Sequence, residues 1–169
     1  NSKINKSFSV CPGIYGGHNW QAVSYDKANN SLIIPLHQLC ADMIGREVEK
    51  KEGFGGFGAD SRSYEKPGVN GKVGKIISVS LSDMKINWTY EQEAMFLTSS
   101  LTTAGGITFI GDLDRYLNAF DSKSGDLIWK TRLSSALHGF PITYSINNKQ
   151  YVAVTTGMGV FRALTSLIS

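Results

Sequence analysis

The sequence predicts an all-β fold of short antiparallel strands, on three observations. Between residues 105 and 156, β-rich runs alternate with turn residues at the spacing of a meander. The same stretch shows no 3.6-residue apolar period of the kind an amphipathic helix would need. A tryptophan-centred element also returns, with Trp88 and Trp129 lying 41 residues apart.

The elements follow in chain order. Residues 20–25 and 32–36 read as two strands joined by a turn at 27–30. Residues 44–74 hold mixed charge, a glycine-rich stretch at 53–58 and Pro67, and read as a long loop. An extended run at 75–81 precedes Trp88. Then come GITFIG at 106–111, a tight turn at 112–114, an extended pattern at 116–120, a turn at 122–125 and a strand at 127–132. Residues 140–146 and 150–155 form a last pair across an Asn147-Asn148 hairpin turn. The tail, 160–169, is expected to fray.

Short hairpins alone fit a barrel, a sandwich or a propeller, and the repeat separates them. Ala119, Asp121, Gly125 and Trp129 form an A-x-D-x-x-x-G-x-x-x-W element. The Asp carboxylate can accept from turn amides, the Gly can take a left-handed conformation, and the Trp offers a flat face to a neighbouring sheet. Trp88 preserves the spacing, but Ser78, Ser80 and Met84 stand where the element has Ala, Asp and Gly. The tryptophan period is expected to survive there without the turn chemistry. The architecture is therefore β-propeller blades, antiparallel four-stranded sheets, across residues 1–169.

Composition narrows the function classes. The 169 residues carry 17 basic and 14 acidic side chains, scattered along the chain, a balance that argues against a nucleic-acid partner. No apolar run is long enough for a helical membrane span, and residues 1–7 are polar with no signal-peptide core. No G-x-S-x-G elbow supports a serine hydrolase. Cys11 and Cys40, the two cysteines, can be thiols, metal ligands or a disulfide; a bridge would close a loop worth roughly 3 to 4 kcal/mol by chain entropy. Together with His18 and His37 they offer zinc donors, though at spacings unlike compact zinc knuckles. The 53–58 stretch lacks the strand-to-helix setting and following Lys-Ser/Thr of a phosphate cradle, and reads as a loop lid. Asp112 and Asp114 form a D-x-D pair better explained by a tight turn than by a bound cation. His138, in a loop before a strand, is a candidate cofactor neighbour at the propeller axis.

Three blocks resemble the PQQ-dependent (quinoprotein) alcohol dehydrogenase family: CPGIYGGHNWQAVSYDKANNSLIIPLHQLCAD at 11–42, TAGGITFIGDLDRYLNAFDSKSGDLIWKTRL at 103–133 and GFPITYSINNKQYVAVTTGMG at 139–159. The tryptophan element occurs in other propellers, whereas GGHNW between two cysteines is characteristic of the cofactor-binding enzymes. The resemblance implies the C-terminal part of an eight-bladed propeller holding pyrroloquinoline quinone near its axis, beside a calcium or lanthanide ion. It implies oxidation of an alcohol or polyol, with electrons leaving to a cytochrome c or a membrane quinone, in the periplasm.

By the same resemblance Asn19 and Trp20 contact the cofactor, and Cys11 and Cys40 form a disulfide. No match is found for the family's catalytic Asp, metal-binding carboxylate and amide, or stacking tryptophan, so no catalytic or metal residue is assigned here. In the family these lie upstream, in N-terminal blades that this chain would need as partners. Residues 95–100 hold no tryptophan where some methanol-oxidising members carry one, which points away from methanol. The chain is expected to be inactive alone and to expose Trp88 and Trp129 as docking surfaces. The rival is a non-catalytic propeller scaffold for protein partners, which would have no use for GGHNW between paired cysteines.

Overall fold

The structure, a computed structural model, describes residues 4–48, 52–53 and 58–157. Two four-stranded antiparallel sheets stand side by side as blades. The first runs β2 (Ser24–Asp26), β3 (Ser31–His37), β6 (Gly74–Ser80) and β7 (Ile86–Gln92) in spatial order. The second runs β8 (Leu101–Thr102), β9 (Ile107–Gly111), β10 (Tyr116–Asp121) and β11 (Leu127–Arg132). A third sheet has two strands, β12 (Ile142–Ile146) and β13 (Lys149–Ala153). Among the described residues there is no helix long and apolar enough to cross a membrane.

The 44–74 span departs from its expectation of a long loop. Strand β4 (Leu39–Gly45) pairs with β1 (Ser7–Val10) on one side and β5 (Ala59–Glu65) on the other, a three-stranded sheet in which β4 and β5 are inserted between β3 and β6 and β1 comes from ahead of the first blade. β5 reads ADSRSYE, polar on both faces, so neither face gives the alternation that marks a half-buried strand. Its pairing with β4 comes from backbone hydrogen bonds, which hydropathy does not report. Of the glycine-rich stretch, residues 54–57 lie outside the described residues, as does the tail expected to fray.

Alternation on β3 sets the packing of the first two blades. Ser31, Ile33, Pro35 and His37 are buried on one face, while Leu32, Ile34 and Leu36 are half-buried on the other. Ile33 joins Ile76, Trp88, Phe96, Ile110 and Phe120 in a core between the two blades. Phe120 meets Tyr90 and Phe96 edge to face, with centroids 4.8 and 6.4 Å away. A second cluster, Leu39, Met95, Leu97, Leu113 and Ala136, caps the end of the sheets where the blade-to-blade loops gather.

The tryptophan element works as a latch from one blade to the next. Asp121 accepts from the amides of Ser124 (2.8 Å) and Lys123 (2.9 Å), and these hydrogen bonds hold its carboxyl below the usual range. Gly125 takes φ 79°, and a Cβ there would sit 2.5 Å from the Trp88 ring. Trp88 lies on that turn and donates its indole N–H to the Ser122 carbonyl at 3.0 Å. Trp88 is therefore not the exposed docking surface expected, because the turn that receives it belongs to the next blade of this same chain; it is 9% exposed against 50% for Trp129.

The imperfect repeat in the first blade keeps more than its tryptophan spacing. Met84, at the Gly position, adopts φ 58°, and its N–H donates to the Ser80 carbonyl at 3.0 Å as that of Gly125 donates to Asp121 at 2.9 Å. Both blades slip register at the same place, between Ser78 and Val79 and between Ala119 and Phe120. Ser80 replaces the Asp carboxylate with a hydroxyl that accepts from the Ser82 amide at 3.3 Å. The turn thus survives with weaker chemistry. Met84 tolerates the left-handed backbone without a ring over it, being 71% exposed.

Candidate functional site

One end of the blades collects the loops that lead into their inner strands: 11–23, 93–100 and 133–141. The first of these lies flat along β3 and β4. Cys11 is disulfide-bonded to Cys40, Gly13 N–H donates to the Leu39 carbonyl at 2.8 Å, and the His37 amide donates to the Gly17 carbonyl at 2.8 Å. A Cβ on Gly13 would stand 2.8 Å from the Cys40 carbonyl carbon, so the close approach requires glycine. The disulfide takes both thiolates away from any zinc site. Among the described residues no group of three or more His, Cys, Asp or Glu side chains could hold a metal.

Past Gly17 the loop turns outward. His18 Nδ1 sits 2.8 Å from the Pro35 carbonyl, an acceptor only, so Nδ1 carries the proton. Asn19 and Trp20 follow, both exposed. Trp20 meets His138 from the loop into β12 edge to face, with centroids 5.7 Å apart and planes at 81°. Two of the sequence-predicted residues, from loops over a hundred positions apart, thus share one surface beside Asn19. This surface brings together an amide, an aromatic face and an imidazole at the end of the sheets where the inner loops gather, groups suited to a flat, polar-edged ligand.

Other candidates resolve differently. Asp112 is buried and accepts from Gln92 Nε2 (3.0 Å), Asn118 Nδ2 (2.9 Å) and the Tyr116 amide (2.9 Å), whereas Asp114 is exposed and pairs with Arg132 at 3.3 Å. They do not converge on a cation. A pocket of about 350 Å³ lies at the end of β3, lined by Cys11, Pro12 and Gly17 of the first loop, by the Leu36–Leu39 run, and by Lys66 and Lys75.

Behind the Asn19–Trp20 surface lie side chains that sequence inspection did not select. Gln21 and His37 are 1% and 4% exposed, with Gln21 Nε2 3.2 Å from His37 Nε2. Burial lowers the His37 pKa, a hydrogen bond to the Phe96 carbonyl opposes this, and nearby His18 adds to the lowering. The ring is therefore neutral at pH 7. The sequence offers His37 as a zinc donor; its place on the inward face of β3 with Ser31, Ile33 and Pro35 is the signal for the buried position it takes here.

Comparison with known proteins then decides the family. Residues 70–152 match the family model described as the β-propeller domain of PQQ-dependent glucose, ethanol and alcohol dehydrogenases. Over that stretch the chain is a quinoprotein alcohol dehydrogenase propeller segment. This quinoprotein segment is 30% identical over 158 residues to methanol dehydrogenase (cytochrome c) subunit 1 of Paracoccus denitrificans, covering 92% of the chain and 25% of that protein. It is also 30% identical over 157 residues to the quinoprotein ethanol dehydrogenase of Pseudomonas aeruginosa, covering 93% of the chain and 25% of that protein. A europium-containing methanol dehydrogenase superposes with a TM-score of 0.85 at 28% identity, covering 93% of this chain and 28% of that one. The quinoprotein segment thus spans about a quarter of the length of the curated relatives it matches.

Proposed function

We propose that these blades form one wall of a pyrroloquinoline quinone site in a periplasmic dehydrogenase that oxidises a primary alcohol or polyol. The observation that carries this is the Trp20–His138 contact beside Asn19 at the axis end of the sheets. The donor set fits a planar quinone with polar edges. The Asn19 amide both donates and accepts, Trp20 gives an indole N–H and an apolar face, and His138 supplies an imidazole edge. Held in part by Asn19, Trp20 and His138, pyrroloquinoline quinone with a calcium or lanthanide ion would supply the two-electron acceptor for the alcohol, and a cytochrome c or a membrane quinone would take the electrons onward. The segment's own part is to hold and orient: the Cys11–Cys40 bridge and the 11–17 backbone bonds fix where Asn19 and Trp20 emerge. The proton-abstracting carboxylate and the metal ligands belong, on this reading, to blades outside these residues. The disulfide is consistent with an oxidising compartment.

The test is quinone binding by the intact protein, read as quenching of tryptophan fluorescence. Asn19→Ala should weaken binding by roughly tenfold, the equivalent of one hydrogen bond. Unchanged affinity in the variant would remove Asn19 from the site. No binding by the intact wild type would sink the dehydrogenase reading and favour a propeller scaffold that binds protein partners.

A further inference from the structure

We infer that His37 is the positioning residue of the Asn19–Trp20 wall, a neutral imidazole that ties the wall to the neighbouring blade loop; this rests on the quinone-site reading above. His37 ends β3 and makes contacts to three segments. Its backbone N–H donates to the Gly17 carbonyl, two residues before Asn19. Its Nε2 lies 3.2 Å from the side-chain amide of Gln21, the residue after Trp20. The same Nε2 lies 3.3 Å from the Phe96 carbonyl, in the loop that enters the second blade.

Proton placement follows from the partners. A carbonyl oxygen only accepts, so the ring carries its proton on Nε2, facing Phe96. A protonated Nε2 cannot also accept from Gln21, so sharing that proton requires the amide orientation in which the Gln21 oxygen takes the place of Nε2 and the NH2 group takes the buried place where Oε1 has no hydrogen-bond partner. One N–H thus joins β3, the segment bearing Trp20 and the loop bearing Phe96. All three groups are buried, with Phe96 and Gln21 almost fully so. Water is not there to replace the ring, so without it Gln21 and the Phe96 carbonyl would each need another partner. The segment free to respond is the exposed one: residues 19–21, between the His18 and Ala22 hydrogen bonds, would shift toward solvent and displace Asn19 and Trp20. The stretch is also held at its ends, by His18 Nδ1 donating to the Pro35 carbonyl at 2.8 Å and by Ser100 N–H donating to the Ala22 carbonyl at 3.2 Å, so the His37 tie governs the residues between them.

The experiment compares His37→Phe and His37→Gln in the intact protein, measuring quinone dissociation constant by tryptophan quenching and unfolding midpoint in parallel. Phe fills the volume but cannot donate, whereas the Gln amide can donate to both carbonyl oxygens. His37→Phe should raise the dissociation constant by roughly tenfold or more, and His37→Gln should stay within about threefold of wild type. His37→Phe binding within threefold of wild type overturns the inference, as does an equal loss in both variants. Should His37→Phe not fold, Gln21→Met removes the tie at its other end, and the same tenfold loss supports the inference while unchanged binding overturns it. If wild type binds quinone and Asn19→Ala weakens it while His37→Phe does not, His37 loses its role and the site reading stands. If wild type binds no quinone, the site reading itself fails.

Discussion

At Gly125 a backbone φ of 79° coincides with an aromatic ring 2.5 Å from where a Cβ would lie. Gly125→Ala meets both constraints, a left-handed backbone and an overpacked contact, and should cost about 2 to 4 kcal/mol. Chemical denaturation of the intact protein checks the cost, and a red shift of tryptophan emission would show Trp88 leaving its seat. Asp121 and Gly125 were legible in the sequence because turn chemistry is local: a carboxylate two and three residues before the amides it accepts from needs no knowledge of the rest of the chain. Met84 was not, because a left-handed methionine is rare and nothing in its neighbours announces it. His37 was half legible. Its strand and face follow from alternation, but its partners Gln21 and Phe96 lie 16 and 59 positions away, and only the fold brings them together.

At the level of strands, the inner edges of the first two blades are joined by hydroxyls. Ser100 Oγ donates to the Ile33 carbonyl at 3.0 Å, and Ser24 Oγ donates to Ser100 Oγ at 2.9 Å. Each hydroxyl has one proton, so the remaining directions are forced: Thr102 donates to Ser24 (2.7 Å), Thr108 to Thr102 (2.9 Å) and Ser122 to Thr108 (2.8 Å). The series crosses from β10's end through β9 and β8 to β2. Thr108→Val keeps the shape, removes one donor and one acceptor, and leaves Ser122 and Thr102 each short of a buried partner. The expected loss is about 1 to 3 kcal/mol in the intact protein, read from the denaturant midpoint at unchanged slope. A loss below 0.5 kcal/mol would mean that the neighbours rebond locally. Strand positions from residue 106 onward could be read from alternation, and the hydroxyls along them looked like ordinary β-formers. β1, β4 and β5 were missed for the opposite reason: their order in the sheet is fixed by backbone pairing, and β5 carries no apolar face.

Across the whole molecule, the propeller architecture was recoverable because blades repeat, and a repeat exposes itself by comparison within one chain, whereas the family was legible only from the three resembling blocks. The Asn19–Trp20 segment was recoverable only as GGHNW; that Trp20 meets His138 depends on how the inner loops converge, a property of the assembled sheets. The latch also has a direction. Trp88 reaches forward from one sheet into the turn of the next, and Trp129 reaches forward in the same sense with half its surface open. The Met84 turn, the counterpart in the first blade of the Gly125 turn that seats Trp88, has no ring on it among the described residues, and Met84 is 71% exposed. A surface that presents a knob at its front and a seat at its back is heterologous, so two copies cannot satisfy both through a two-fold axis. These 169 residues, expressed by themselves, should therefore sediment as an open-ended series that lengthens with concentration, and Trp129→Ser should shorten it. A single species at all concentrations would show that the seat at Met84 does not accept the ring. The exposed tryptophan, on this view, gives the chain an arrow: it can be extended or closed into a circle, and it has no way to finish as a symmetric pair.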